Sequence, residues 1–156
     1  MNIPDELVAA IASGNAVLFV GAGLSVGAGL PGWGQLIGPL ADRIGLPDNQ
    51  RGDPLKVAQF YETQRGRQAL ISYIQEQIDA GGSAPTENHR RLVRLGIRTW
   101  LTTNFVDLLE QTLRSAGERV TKVVRDHDLP YAGAERLTLI KLHGDSAQPE
   151  TIVITR

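Results

Sequence analysis

Short apolar segments that run into glycine or polar clusters are the feature of this sequence that most constrains its fold. Residues 16–20 are continuously apolar and lead directly into Gly21-Ala22-Gly23. The run is too short for a buried helix, and the glycines that follow favour a strand buried on both faces of a sheet. Strands are also predicted at 98–103, 120–124, 137–142 and 151–154.

Apolar residues at helical spacing separate these strands. The spacing predicts helices over 4–13, 33–44, 54–64, 66–79, 87–95 and 106–115. Strands that alternate with helices predict an α/β fold, with a Rossmann-like, mostly parallel sheet and helices on both faces. The length of 156 residues is that of one ordinary domain, so a single domain over residues 1–156 is expected.

The charge balance argues against a nucleic acid or an anionic membrane as a direct partner. Lys and Arg total 16 against 17 Asp and Glu, which gives a net charge of −1. A local basic stripe is formed by Arg90, Arg91, Arg94 and Arg98. A solvated helix face is the favoured interpretation of this stripe, and a phosphate-rich or acidic partner is the alternative.

Cysteine is absent, which excludes disulfides and any zinc site built from four cysteines. The first residues lack the basic and then apolar layout of a signal peptide. The apolar runs are far shorter than the roughly 20 residues that span a bilayer. A cytoplasmic location without membrane contact is therefore expected.

The glycine-rich segment from Gly21 to Pro31 is the first candidate binding element. Glycines let a backbone approach a pyrophosphate closely, and free N–H groups can bind its oxygens. The strict dinucleotide pattern G-x-G-x-x-G fails because Val26 occupies its third glycine position. Nucleotide binding and a purely structural turn both remain open on this segment alone.

Two further polar clusters follow predicted strands. Asn104, in Thr102-Thr103-Asn104-Phe105, suits either a helix cap or a group that orients a water or a ribose hydroxyl. His143, in Lys141-Leu142-His143-Gly144-Asp145, is either structural or a proton carrier near neutral pH. Ligands of such sheets bind beyond the carboxyl ends of the strands, so all three clusters are expected at one pocket.

The segments GAGLSVGAGLP, TTNF and LHGD, in this order, resemble the SIR2 family. The sequence is most similar to SIR2-like NAD hydrolases of bacterial anti-phage defence proteins, including those paired with short Argonaute proteins. This resemblance implies NAD as the substrate, no zinc, and hydrolysis of the bond between nicotinamide and ribose. It implies binding by Gly21, Ala22, Gly23, Ser25, Pro31, Trp33, Thr103, Asn104, Phe105 and His143, with Asn104 and His143 catalytic.

Departures from the family pattern separate the possible activities. Protein-deacylating sirtuins resemble G-I-P-D-F-R after the glycine loop, whereas this chain has Gly29-Leu-Pro-Gly-Trp-Gly34 and lacks cysteines for a zinc module. Both differences favour a hydrolase over a deacylase. Val106 stands where the family pattern T-T-N-F-D has aspartate, and no role passes to Asp107. A non-catalytic module that senses NAD or ADP-ribose therefore remains the main alternative.

The resemblance also bears on the extent of the domain. SIR2-like domains ordinarily continue past a segment like residues 151–156, so an incomplete domain at the start of a longer protein is expected. The apolar run from Ile152 to Ile154 is expected to form an edge strand with unpaired groups. Self-assembly, or assembly into a larger defence complex, is the corresponding prediction.

Overall fold

The structure is a computed structural model that describes residues 3–155, so Met1, Asn2 and Arg156 of the predicted domain lie outside the described residues. Its helices are α1 (Asp5–Ala12), α2 (Gly23–Val26), α3 (Trp33–Arg43), α4 (Pro54–Arg65), α5 (Arg67–Ala80), α6 (Glu87–Arg94) and α7 (Leu108–Ser115). Its strands are β1 (Val17–Val20), β2 (Thr99–Thr102), β3 (Val120–Val123) and β4 (Leu137–Lys141). Short 3-10 turns cover Asp48–Gln50, Asp126–Tyr131 and Pro149–Thr151.

The four strands form one parallel sheet in the order β1-β2-β4-β3. Because parallel neighbours need a crossover connection, α-helices lie between β1 and β2 and between β2 and β3, and the 3-10 turn Asp126–Tyr131 lies between β3 and β4. The predicted α/β class, with a Rossmann-like parallel sheet, is confirmed.

Local sequence explains several element boundaries. Asp53 caps α4 by accepting the Leu55 N–H at 3.0 Å, and Pro54 occupies the first helical position, where its missing N–H costs nothing. Gly66 separates α4 from α5 with a φ of 86°, a conformation that favours glycine. No helix within residues 3–155 is both long and apolar enough to cross a membrane.

The buried apolar residues form two cores. The sheet core lies between the strands and helices α6 and α7, and consists of Val20, Ile97, Trp100, Leu109, Leu113, Leu137 and Leu139. The helical core gathers α3, α4 and α5, the segment after β2, and the end of the chain around Ile152 and Ile154. The carboxyl ends of β1, β2 and β4 therefore lead from the sheet core towards the helical core.

The prediction that β1 is buried on both faces is wrong. Val17 is 56% exposed and Phe19 60% exposed, whereas Leu18 packs against the sheet core and Val20 belongs to it. The reason is position, since β1 is one of the two edge strands and one of its faces has no covering element among residues 3–155.

The predicted last strand, 151–154, is also wrong. A 3-10 turn ends at Thr151, and the following residues run without strand pairing. Ile152 and Ile154 are nonetheless buried, while Val153 is exposed, so the alternating pattern reflects packing of an extended segment into the helical core. The expected exposed edge is therefore absent in this segment, and self-assembly stays a prediction for light scattering to test.

Candidate functional site

The three polar clusters meet at one edge of the sheet. Val20 is in register with Thr102, and Thr102 with Lys141, so β1, β2 and β4 end side by side. Hydrogen bonds join the segments just beyond these ends, with Thr103 N–H donating to the Val20 carbonyl and Leu142 N–H to the Thr102 carbonyl. The topology thus brings the glycine segment, the Asn104 segment and the His143 segment together.

A cavity of about 280 Å³ opens at this edge. This volume lies near the lower end of the roughly 300–1,000 Å³ of small-molecule sites, which suits part of a dinucleotide. Seven predicted site residues line it, together with three from outside the predicted set: Ala22, Ser25, Trp33, Thr103, Asn104, Phe105 and His143, with Leu30, Leu55 and Val106.

The other predicted site residues lie elsewhere. Gly21 and Gly23 line a separate, more open cavity of about 290 Å³ next to β1. A Cβ built on either glycine would meet no atom within 4 Å. Pro31 is half-buried and lines neither cavity within the described chain. The glycine segment therefore contributes to the main cavity through Ala22 and Ser25.

The side chain of Asn104 is held in one orientation. Its Nδ2 donates to the Gly21 carbonyl and to Ser25 Oγ, both at 3.1 Å, and its backbone N–H donates to Thr102 Oγ1 at 3.0 Å. A carbonyl only accepts hydrogen bonds, so Gly21 fixes which amide atom is the nitrogen. Oδ1 is left as an acceptor with no partner among residues 3–155. Ser25 Oγ, having accepted, keeps its hydrogen to donate.

His143 stands on a turn whose backbone is tightly packed. Gly144 has a φ of 83°, and a Cβ there would lie 2.2 Å from the Thr151 carbonyl oxygen. The returning chain therefore requires glycine at this position. The imidazole is partly exposed, lines the cavity, and has no hydrogen bond or ion pair within the described residues.

Apolar side chains form most of the cavity wall. Leu30, Phe105 and Val106 are buried in the helical core and also line the cavity, as does the partly buried Trp33. Trp33 thus both lines the cavity and packs against the helical core. Asp107 is exposed and accepts a hydrogen bond from Gln111 Nε2 at 2.8 Å, so it points away from the cavity.

A group of ionic side chains beside the site, which we name the charge cluster, consists of Glu110, Lys122, Lys141 and Asp145. Lys141 Nζ lies 2.7 Å from Glu110 Oε1 and 3.4 Å from Asp145 Oδ1, and Lys122 pairs with Asp145 Oδ2. Burial of Asp145 favours its neutral form, but hydrogen bonds from Lys122 and Ala147 and the charge of Lys141 outweigh it and lower its pKa. The sequence interpretation passed over this cluster, although Lys141 and Asp145 are four residues apart.

The remaining candidates from the sequence lie away from the cavity. His127 is exposed in a 3-10 turn, 3.4 Å from Asp128. Arg90, Arg91 and Arg94 surround Glu87 at the surface, and Arg98 lies beyond the end of α6. Across residues 3–155, no three His, Asp or Glu side chains are grouped so that they could hold a metal ion.

Known proteins are similar to this chain over most of its length. Residues 98–156 match the family model of the SIR2-like domain. The chain is 32% identical over 154 residues to NAD(+) hydrolase ThsA of Acinetobacter baumannii (strain 532279), covering 97% of this chain and 32% of that protein. It is 33% identical over 149 residues to NAD(+) hydrolase ThsA of Bacillus cereus (strain MSX-D12), covering 91% of this chain and 30% of that protein.

A more distant relative is Defense-associated sirtuin 2 of Bacillus subtilis, 26% identical over 147 residues, which are 90% of this chain and 14% of that protein. The chain thus spans about a third of the length of the two hydrolases and less of the third protein. The matched domain, these identities and the three motifs that meet at the cavity identify a SIR2-like domain in this chain.

Proposed function

We propose that this domain binds NAD and hydrolyses the bond between nicotinamide and ribose, as part of a cytoplasmic anti-phage defence protein. The observation that carries the proposal is the arrangement of Ser25, Asn104 and His143 around one cavity at the carboxyl edge of the sheet. All three present a polar atom to a cavity that is otherwise lined mostly by carbon. Such a combination is typical of sites that hold and react with a small molecule.

The chemistry follows from which atoms these residues leave available. In the reaction, the C1′–N bond breaks, its electron pair passes to the nicotinamide nitrogen, and neutral nicotinamide leaves an oxocarbenium ion. A water oxygen then bonds to C1′ and gives up a proton, so ADP-ribose, nicotinamide and one proton are formed. Asn104 Oδ1 accepts from a ribose hydroxyl or the attacking water, and the imidazole of His143 takes the proton.

The remaining predicted residues fit a supporting role in binding. We assign the pyrophosphate and adjoining ribose to the segment Gly21, Ala22, Gly23 and Ser25, where α2 begins and the two glycines leave room for close approach of a ligand. Pro31, Trp33, Thr103 and Phe105 complete the proposed binding set, with Trp33 and Phe105 providing an apolar wall that limits the access of water. The proposal includes no zinc.

Two lines of similarity support hydrolysis over deacylation. The relatives that match nearly the whole chain are named NAD(+) hydrolases, and the substitutions after Pro31 depart from the deacylase pattern. The defence role and assembly with further copies or partners rest on the same resemblance.

The decisive experiment is incubation of the protein with NAD, with and without an acylated peptide, while nicotinamide is measured by chromatography. Release of nicotinamide without peptide is expected. Release only with peptide would identify a deacylase, and binding of ADP-ribose without any turnover would identify a sensor. The second product, separated in the same run, distinguishes linear ADP-ribose from a cyclised form.

The sensor is kept as a second candidate because of Val106. Its side chain lines the cavity next to Asn104, in the position where the family pattern has aspartate. Valine accepts no hydrogen bond, so this wall of the cavity offers the nicotinamide no polar group. A Val106→Asp variant is a direct comparison, since higher turnover than wild type would identify Val106 as the reason for a low rate.

A further inference from the structure

Lys141 is a buried charged residue that the proposed reaction leaves unused. Its side chain is fully buried, and its ammonium donates to the carbonyls of Phe105 and Val106, both at 3.1 Å, and to Glu110 Oε1 at 2.7 Å. These three bonds use all three ammonium hydrogens. An ammonium in the interior is costly unless its partners are well placed, so a lysine held this completely calls for a reason.

The two segments that carry the proposed catalytic residues both contact this ammonium. Phe105, whose carbonyl it binds, directly follows Asn104 in the chain. Asp145, whose Oδ1 lies 3.4 Å from Nζ, comes two residues after His143. A direct bond reinforces the link, since the Ser146 N–H donates to the Phe105 carbonyl at 2.7 Å.

We propose that Lys141 is a positioning residue that fixes Asn104 relative to His143; the inference rests on the proposed function. Asn104 is anchored at its side chain to the β1 end, through Gly21 and Ser25. The carbonyls that follow it are anchored to β4 through Lys141. His143 is on the continuation of β4. Lys141 therefore holds Asn104 in place relative to the same strand that positions His143.

A purely structural cluster would stabilise the fold without setting this geometry, and a double variant separates the two roles. Lys141→Met with Glu110→Leu removes one cation and one anion together and leaves Asp145 paired with Lys122. Replacement of a buried ion pair by apolar residues of similar volume is often neutral for stability. In this variant the Val106 carbonyl loses its bond from Lys141, and the Phe105 carbonyl keeps only the bond from the Ser146 N–H.

The double variant is expected to remain folded and to lose at least about 100-fold in kcat, the loss typical of misplacing reacting groups by about 1 Å. Its KM is expected to change less than about three-fold, because the wall residues that bind the ligand are intact. The control is Leu113→Ala, which opens a cavity in the sheet core on the same helix as Glu110. Its kcat per folded molecule should stay within about two-fold of wild type.

A kcat of the double variant within about three-fold of wild type overturns the inference. Nuclear magnetic resonance gives a readout that does not depend on turnover. In the double variant, the side-chain amide signals of Asn104 and the imidazole signals of His143 should shift or broaden, and in Leu113→Ala they should not. If wild type releases no nicotinamide, the proposed function fails, and these signals alone decide the inference: unchanged signals in the double variant overturn it.

Discussion

At the residue scale, Asn104 and His143 divide the requirements of the site between them. The amide of Asn104 is locked by two hydrogen bonds and offers one acceptor, whereas the imidazole of His143 has no partner among the described residues and lies open to the cavity. A locked acceptor suits orientation of a hydroxyl or water, and an unengaged imidazole suits proton transfer.

Substitution of either residue tests this division. Asn104→Ala and His143→Ala are each expected to lower nicotinamide release by at least about 100-fold, the usual contribution of a positioned proton-transfer group. The double variant should be little worse than either single one, because groups that serve one transition state act together. Near-normal release by His143→Ala would contradict the mechanism.

His127 provides the matched control for the histidine. Its side chain is 70% exposed beside Asp128. It lies away from the cavity that the imidazole of His143 lines. His127→Ala should release nicotinamide at close to the wild-type rate, and complete loss there would show that the wrong histidine was chosen.

Substitution of Gly144, with Gly133 as the control, tests how much stability a single added Cβ costs at the turn that carries His143. Both have a φ of 83°, but a Cβ on Gly144 meets the Thr151 carbonyl oxygen at 2.2 Å, and one on Gly133 meets nothing within 4 Å. Gly133→Ala should lower the free energy of unfolding by about 1 kcal/mol, the cost of a left-handed alanine. Gly144→Ala should cost at least about 3 kcal/mol, because backbone must also move. Equal losses in urea denaturation would refute the contact.

At the element scale, the start of α6 depends on a neutral histidine. Thr86 N–H donates to His89 Nδ1 at 3.2 Å, so the proton of the neutral ring is on Nε2, which is buried without a partner among residues 3–155. Burial, followed by the charge of Arg90, lowers the pKa of His89 below its ordinary value. The folded protein therefore resists protonation of this ring more than the unfolded chain does.

Stability should accordingly fall on acidification. Below the unfolded pKa of about 6.5, the unfolded chain takes up a proton that folded His89 does not, so the free energy of unfolding decreases by up to about 1.4 kcal/mol per pH unit. Above that pH the contribution is complete. His89→Gln keeps an acceptor for Thr86, in the arrangement of a common capping box, and cannot titrate. Its stability should depend less on pH between about 6.5 and 5, and an unchanged profile would exclude His89 as the cause.

The sequence predicts helices and strands well where the spacing of apolar residues agrees with the residues that begin and end each element. All six long helices and strands β1 to β4 are present within a few residues of their expected bounds. The segment 151–154 shows the limit, because alternate burial of Ile152 and Ile154 is the same whether an extended chain pairs in a sheet or packs against helices. The exposed face of β1 shows another, since a strand's own residues do not reveal that it lies at the edge.

The sequence predicts those site residues that come directly after a strand in the chain. Parallel strands end at a common edge, which is why Asn104 and His143 share a cavity. Leu30, Leu55 and Glu110 could not be found in this way. Their contributions come from contacts between helices and strands far apart in sequence, such as the 31 residues between Glu110 and Lys141.

At the scale of the whole molecule, the cavity lies where the sheet core and the helical core adjoin. Its wall takes Ser25 from α2, Asn104 from the segment after β2, and Trp33 and Leu55 from α3 and α4. A ligand in the cavity therefore contacts the helical core and the segments that follow β1, β2 and β4, and should stabilise them together.

Ligand-dependent stability tests this arrangement. ADP-ribose at 100 times its Kd should raise the free energy of unfolding by about 2.7 kcal/mol if it binds only the folded chain. Gly23→Val should abolish this gain, because its side chain would occupy the approach of the pyrophosphate. A Cβ at Gly23 meets no atom within 4 Å, so the ligand-free variant should stay folded. Unchanged affinity by calorimetry would make the glycine segment merely structural.

The charge cluster has a consequence for the response of the molecule to salt. Its two cations and two anions sum to zero, and the side chains of Lys141 and Asp145 are wholly inaccessible to solvent. Dissolved ions, which screen surface charges over about 8 Å at 0.15 M, cannot enter between such partners. The exposed arginines around Glu87 have no such protection. Ionic strength should therefore change how fast an anionic ligand arrives, and not where Asn104 and His143 stand when it does.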